Sequence, residues 1–418
     1  MHESPLTALV LSGGGARAAY QVGVLRALVG IRRGALGPRA RLANPFGIIV
    51  GTSAGAINAA ALAANADRFE GAVEALAKVW QNFAAEQVYR ADSLGVIRSG
   101  AQWLTMLSVG WLIARWRRAR PRSLLDNRPL AGLLQRLVPL ERVPLLLAER
   151  HLHAWAVTAS SYTTGEHVTF YDSAQPLAPW QRSQRLAVAQ RIDHAHLLAS
   201  SAIPFVFPSV NLQPGGQAGW FGDGSMRQTA PLSPAIHLGA QRLVIIGAGR
   251  MQEPAGRVVP AGGYPNLAQI AGHALSSIFL DALAVDVERM RRINRTLALL
   301  PESALADSEL RPLEALVISP SQRIDDVAAR HLHALPLPVR SLLRGVGVGA
   351  GGVPAAGGAG VQGAALASYL LFEAPFTREL MALGEADTVA RQDEVLRFFG
   401  WDVAPARTPR GGPDIELP

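Results

Sequence analysis

Two apolar runs in the first sixty residues each stop at a glycine-rich turn and pass directly into a helical pattern, and this repeated arrangement constrains the fold more than anything else in the chain. Residues 6–12 end at Gly13, Gly14 and Gly15, and helical periodicity follows to about Val29. Residues 46–50 end at Gly51-Thr52-Ser53-Ala54-Gly55, and an alanine-rich helix follows to about Ala64. Further apolar runs at 153–160, 167–171, 242–247 and 315–319 predict strands, and residues 185–200, 267–294 and 387–399 predict helices. Strands alternating with helices predict an α/β fold, with a mostly parallel central sheet covered by helices on both faces. Two stretches break the rhythm. Residues 86–150 are helical without a clear central strand and read as a cap insertion over the sheet. Residues 344–365 are dense in glycine and alanine and read as a surface loop, since they bury too little area to offset their ordering entropy. The expected division is a core of residues 1–85 and 151–330, the cap at 86–150, and a C-terminal extension at 331–418 that ends in helices.

Composition removes several kinds of chemistry. The 418 residues contain no cysteine, which excludes disulfides, thiolate metal sites, iron–sulfur clusters and a cysteine nucleophile. Of the 40 basic residues only Lys78 is a lysine, and it lies outside any glycine-rich loop. A phosphate-binding GxxxxGK[ST] loop is therefore absent, and Schiff-base catalysis is disfavoured. The formal charge of +8 reflects arginine usage, and no nucleic-acid partner is expected from it. The opening Met-His-Glu-Ser-Pro shows no secretory signal. The uncharged runs 42–66 and 345–372 are interrupted by turn residues or by glycine and alanine, and neither reads as a membrane span. The expectation is a cytoplasmic protein able to lie on a membrane surface.

Three segments carry chemistry. A G-x-S-x-G between strand and helix is the context of a nucleophile elbow. There Ser53 sits on a tight turn with Gly51 and Gly55 leaving room for close passage, and the helix N-terminus favours a developing anion. Gly13, Gly14 and Gly15 permit successive backbone N–H groups to face one concavity, as an oxyanion or phosphate site requires. The dinucleotide pattern G-x-G-x-x-G fails at Ala18, and no acidic residue follows at the ribose position. Asp223, flanked by Gly222 and Gly224, is a carboxylate free of neighbouring side-chain bulk, although an Asp-Gly pair by itself is an ordinary turn signal.

Taken together these segments resemble the patatin-like phospholipase family of serine acyl hydrolases. The resemblance implies Ser53 as nucleophile and Asp223 as its base in a Ser–Asp dyad. It further implies Gly13, Gly14 and Gly15 as oxyanion donors, and Arg17 as the basic residue of the glycine loop. The stretch Ala199-Ser200-Ser201-Ala202-Ile203-Pro204 resembles the family's segment ahead of the aspartate, and the likeness runs from about residue 6 to 247. Ala18 and Ser225 stand where glycine, and glycine or alanine, are more usual; both are small. The implied activity is a phospholipase A-type cleavage of fatty-acyl esters through an acyl-enzyme, with no metal and no cofactor. A soluble esterase or thioesterase with the same dyad, or a membrane-binding module without turnover, are the alternatives.

A catalytic histidine remains open, because His237 and His273 follow Asp223 in the Ser–Asp–His order, though neither lies in a glycine-marked loop. The pairs His151/His153 and His194/His196 lack a metal-binding pattern. Within the cap, an apolar stretch carries Trp103 and Trp111, and Arg115, Trp116, Arg117 and Arg118 follow. Tryptophan beside arginine suits a lipid headgroup boundary, and these six residues are the membrane-contact candidates; a buried helix with a solvated basic end has the same pattern.

Overall fold

The computed structural model describes residues 5–37, 40, 43–90, 123–251, 264–306, 308, 310–349 and 363–401. Within these residues ten strands form one mixed sheet. They are β1 (Thr7–Leu11), β2 (Ile48–Thr52), β3 (Ala154–Ser161), β4 (His167–Ser173), β5 (Gln181–Arg182), β6 (Arg185–Ala189), β7 (Val210–Leu212), β8 (Gly219–Asp223), β9 (Arg242–Ile246) and β10 (Glu314–Ile318). The order is β10-β9-β1-β2-β3-β4-β6-β5, with β8 attached to β3 and β7 attached to β8. From β10 to β3 all neighbours are parallel. Beyond the end of β2, β8 takes its place beside β3, antiparallel, with Ala159 opposite Asp223.

The side-chain alternation of β1 and β2 builds two cores. Leu9, Leu11 and Ile49 join the larger cluster on one face, and Ala8, Val10, Ile48 and Val50 join the smaller one on the other. Helices α1 (Ala19–Leu36), α2 (Ala54–Ala63) and α3 (Phe69–Gln81) belong to the larger cluster. So do Leu130, Leu134, Val143 and Leu147 from the described helices between residues 123 and 150, and Phe376, Leu380 and Met381 from the C-terminal helix Ala374–Val389. Residues 91–122 lie outside the described residues, and with them Trp103, Trp111, Trp116, Arg115, Arg117 and Arg118. Most of the glycine–alanine stretch, residues 350–362, does so as well.

Three local expectations are corrected. Residues 185–200 are not one helix: 185–189 alternate as strand β6 beside β4, and a short helix begins only at His194, where Asp193 accepts hydrogen bonds from the N–H groups of Ala195 and His196. The first helix continues past Val29 to Leu36, because Gly30 and Gly34 lie inside a helix already held by its buried face, and it ends at Gly37 with φ 87°. Residues 387–399 are divided between the helices Ala374–Val389 and Gln392–Phe399. The apolar helical stretch Leu267–Leu297 is long enough to cross a membrane by length and composition, yet Phe279, Leu283, Val287 and Met290 pack into the cores.

The C-terminal helix lies on α1 with backbone nearly touching. A Cβ on Gly23 would fall 1.9 Å from the Met381 carbonyl oxygen, and one on Gly384 would fall 2.3 Å from that of Tyr20. Gly23→Ala is therefore expected to destabilise by about 1–3 kcal/mol through overpacking. Gly30→Ala has open space around its Cβ and should stabilise by roughly 0.5–1 kcal/mol through helix propensity. Urea denaturation of both variants checks the opposite signs.

Candidate active site

Ser53 stands between β2 and α2 with φ 56° and ψ −130°, a left-handed backbone that costs a non-glycine residue about 1–3 kcal/mol. The neighbouring glycines show what holds it there. A Cβ on Gly51 would lie 2.5 Å from Ala56 Cα, and one on Gly55 would lie 2.4 Å from the Leu11 carbonyl oxygen. The helix thus crosses the strand ends too closely for any side chain at either position. Ser53 N–H donates to Ser200 Oγ at 2.9 Å, and Asp223 N–H donates to the Ala202 carbonyl at 3.1 Å. One short segment, 199–202, therefore braces both residues.

Ser53 Oγ donates to Asp223 Oδ2 at 2.6 Å, and Ser225 N–H donates to Oδ1 at 2.9 Å. Asp223 is not in a turn, as the flanking glycines suggest, but is the last residue of β8. It is fully buried, and among the described residues no cation pairs with it. Burial drives its pKa up to about 7, against the opposing pull of the hydrogen bonds from Ser53 and Ser225. Gly224 follows because a Cβ there would lie 2.4 Å from the Thr158 carbonyl oxygen. On the opposite face of the sheet, Gln228 Nε2 donates to Thr52 Oγ1 at 2.8 Å, and Thr52 Oγ1 meets Thr158 Oγ1 at 2.8 Å.

The glycine loop reaches the same point. A Cβ on Gly13 would fall 3.1 Å from Ser53 Cβ. Gly15 has φ 56°, and the N–H of Ala16 donates to the Tyr369 carbonyl at 3.1 Å. Among the described residues the N–H groups of Gly13, Gly14 and Gly15 donate to no acceptor. Arg17 is buried behind the loop. Its Nε donates to Ser368 Oγ at 2.8 Å, its guanidinium pairs with Asp325 at 2.6 Å, and it lies 4.2 Å from the Tyr369 ring centroid. The structure thus brings Ser53, Asp223, Gly13, Gly14 and Gly15 together, with Gly51, Gly55 and Gly224 at close backbone passes and Arg17 as an anchor.

The histidines do not join them. His237 Nδ1 bonds the Ser233 carbonyl at 2.8 Å and its ring stacks on Trp180, while His273 is exposed on the helix Leu267–Ser276. No cluster of metal-ligating side chains occurs among the described residues. Sequence reasoning missed Ser200, Gln228, Phe279 and Tyr369. Ser200 lay in a segment already singled out, whereas Phe279 and Tyr369 carry no motif.

A cavity of about 670 Å³ opens from Ser53 and Gly15. Its walls are largely apolar, with Ile57 and Ala61 on α2, Val79 and Trp80 on α3, Leu133 and Phe372.

A chain with this sheet and this elbow has an α/β scaffold that presents a serine at a strand-to-helix turn. The family model for patatin-like phospholipase matches residues 9–236, more than half of the chain. The protein belongs to the patatin-like phospholipase family. A search of curated protein sequences returns no significant match. Among solved structures, the chain is similar to human GIVD cytosolic phospholipase A2 in complex with methyl gamma-linolenyl fluorophosphonate, at 14% identity and a TM-score of 0.39, covering 95% of this chain and 59% of that one. It is similar to VipD from Legionella pneumophila at 13% identity and a TM-score of 0.28, covering 92% and 67%. The chain thus spans about three fifths of the human enzyme's length.

Asp223 binds its proton more tightly folded than unfolded, so it lowers folding stability as pH rises from about 4 to its folded value of about 7. Asp223→Asn removes that loss. Its melting temperature relative to wild type is expected to improve between pH 5 and pH 8, and a constant difference across that range would refute the raised pKa.

Proposed function

We propose that this protein is a phospholipase A-type acyl hydrolase working through a Ser53–Asp223 dyad. The observation that carries the reading is the 2.6 Å hydrogen bond from Ser53 Oγ to a buried carboxylate at the head of an apolar cavity. A carboxylate whose pKa lies near 7 accepts a proton at neutral pH far better than an ordinary aspartate. Asp223 takes the Ser53 proton as Oγ attacks the ester carbonyl. The N–H groups of Gly13, Gly14 and Gly15 receive the oxyanion, each such donor being worth about 3 kcal/mol, roughly a hundredfold in rate. Asp223 then protonates the departing alcohol, leaving an acyl-enzyme for water to hydrolyse.

The cavity supports a long acyl chain. Ile57 and Ala61 line it one helical turn apart on α2, leading away from Ser53, and Asn65 lines it just beyond the end of that helix; the ten residues of α2 rise about 15 Å. Its volume falls within the roughly 300–1,000 Å³ of small-ligand sites. Lipids with such chains reside in membranes, so the reading carries with it a cytoplasmic enzyme in peripheral contact with a lipid surface.

The test is fatty-acid release from mixed phospholipid vesicles. Wild type is expected to release acid, while Ser53→Ala and Asp223→Asn stay folded and lose about a thousandfold or more in kcat/KM. The kcat/KM of wild type should rise with pH through a limb near 7, as Asp223 ionises. Cleavage of short soluble esters alone would favour a soluble esterase. Vesicle binding without release would favour a binding module.

A further inference from the structure

One hydroxyl in this centre has no assigned task. Ser225 is buried, and its Oγ has no hydrogen-bond partner. A buried hydroxyl left unpaired is costly, and its presence calls for an explanation. Its position supplies one. The point that a Gly13 Cβ would occupy lies 2.3 Å from Ser225 Oγ and 3.1 Å from Ser53 Cβ, so the hydroxyl borders both the glycine loop and the candidate nucleophile. The backbone N–H of the same residue is already spent on Asp223 Oδ1, which ties the hydroxyl to the carboxylate by a single residue's geometry. The side chain also lies close enough to Asp223 to favour its charged form.

The geometry points to Ser225 as a further catalytic residue, whose hydroxyl holds the water that hydrolyses the acyl-enzyme. This rests on the dyad reading above. When Ser53 Oγ carries the acyl group it no longer donates to Asp223 Oδ2. A water entering the space left by the alcohol gives one O–H to that carboxylate and the other to Ser225 Oγ, which has lone pairs to accept it. The water oxygen attacks the acyl carbon, its proton passes to Asp223, and the carbonyl electron pair moves onto the oxygen held by the glycine N–H groups. Collapse breaks the bond from carbon to Ser53 Oγ, which takes the proton back from Asp223 as the fatty acid departs. Acylation needs no such water, so the two halves of the reaction separate Ser225 from the dyad.

The experiment uses the full chain with a p-nitrophenyl acyl ester and with a fluorophosphonate that labels the serine. For Ser225→Ala we expect labelling and the pre-steady-state burst within about twofold of wild type, and steady-state turnover about tenfold lower, as for one lost hydrogen bond. Ser225→Gly is the second variant, used if alanine disturbs the turn, with thermal denaturation as the check on folding. Labelling and burst that fall together with turnover overturn the proposal, since Ser225 would then act on the dyad as a whole. Turnover equal to wild type overturns it as well. A wild type that is neither labelled nor shows a burst refutes the dyad reading and this proposal with it, an outcome distinct from either variant phenotype.

Discussion

The centre of this protein is organised around a carboxylate buried with no cation paired to it among the described residues. An ionised group in such a place is strongly disfavoured unless donors compensate it. Asp223 is compensated by one O–H, from Ser53, and one N–H, from Ser225. Neither carries a full charge, so the carboxylate stays poised near neutrality instead of being locked as an anion by an arginine. That poise demands exact placement of Ser53. The strained elbow, the glycines that let α2 cross the strand ends, and the brace from Ser200 and Ala202 all serve it. The Gln228–Thr52–Thr158 contacts join the strand that carries the serine elbow to the segment that follows Asp223, from the far side of the sheet.

The second dependence is on residues far along the chain. The glycine loop is shaped from outside by the Tyr369 carbonyl, and a Cβ on Gly15 would fall 2.3 Å from that oxygen. Arg17 carries the same link through Ser368 and Asp325. Phe279, at a π-helical turn in the helix Leu267–Leu297, comes within contact of Gly13 and rests on Tyr369 with ring centroids 5.0 Å apart. The C-terminal helix in turn is seated on α1 through glycines of both helices. The described part of the C-terminal region therefore shares the large core with the sheet.

What was legible in the sequence was what is local. The strand, glycine turn and helix around Gly13 and around Ser53 are encoded in about ten residues each, because close backbone passage demands glycine whatever lies beyond. Asp223 was legible as a polar residue between glycines. Its place at the end of a strand was not, since β8 exists only by pairing with β3 and β7. Strand β6 was misread for the same reason: Arg185-Leu186-Ala187-Val188-Ala189 suits a helix until β4 supplies a ladder. Tyr369 acts through its carbonyl, which any residue could offer, so no side-chain pattern could reveal it.

The seat of the glycine loop has a consequence for the order in which the protein is made. A chain emerging from the ribosome exposes β1, the elbow and β8 early, so the serine and its carboxylate can meet before synthesis is done. Tyr369 and Ser368 come off more than 140 residues after Asp223, and until they do the glycine loop has nothing to close against. The glycine loop is therefore seated only after Tyr369 has been made, later than the elbow and β8 it faces.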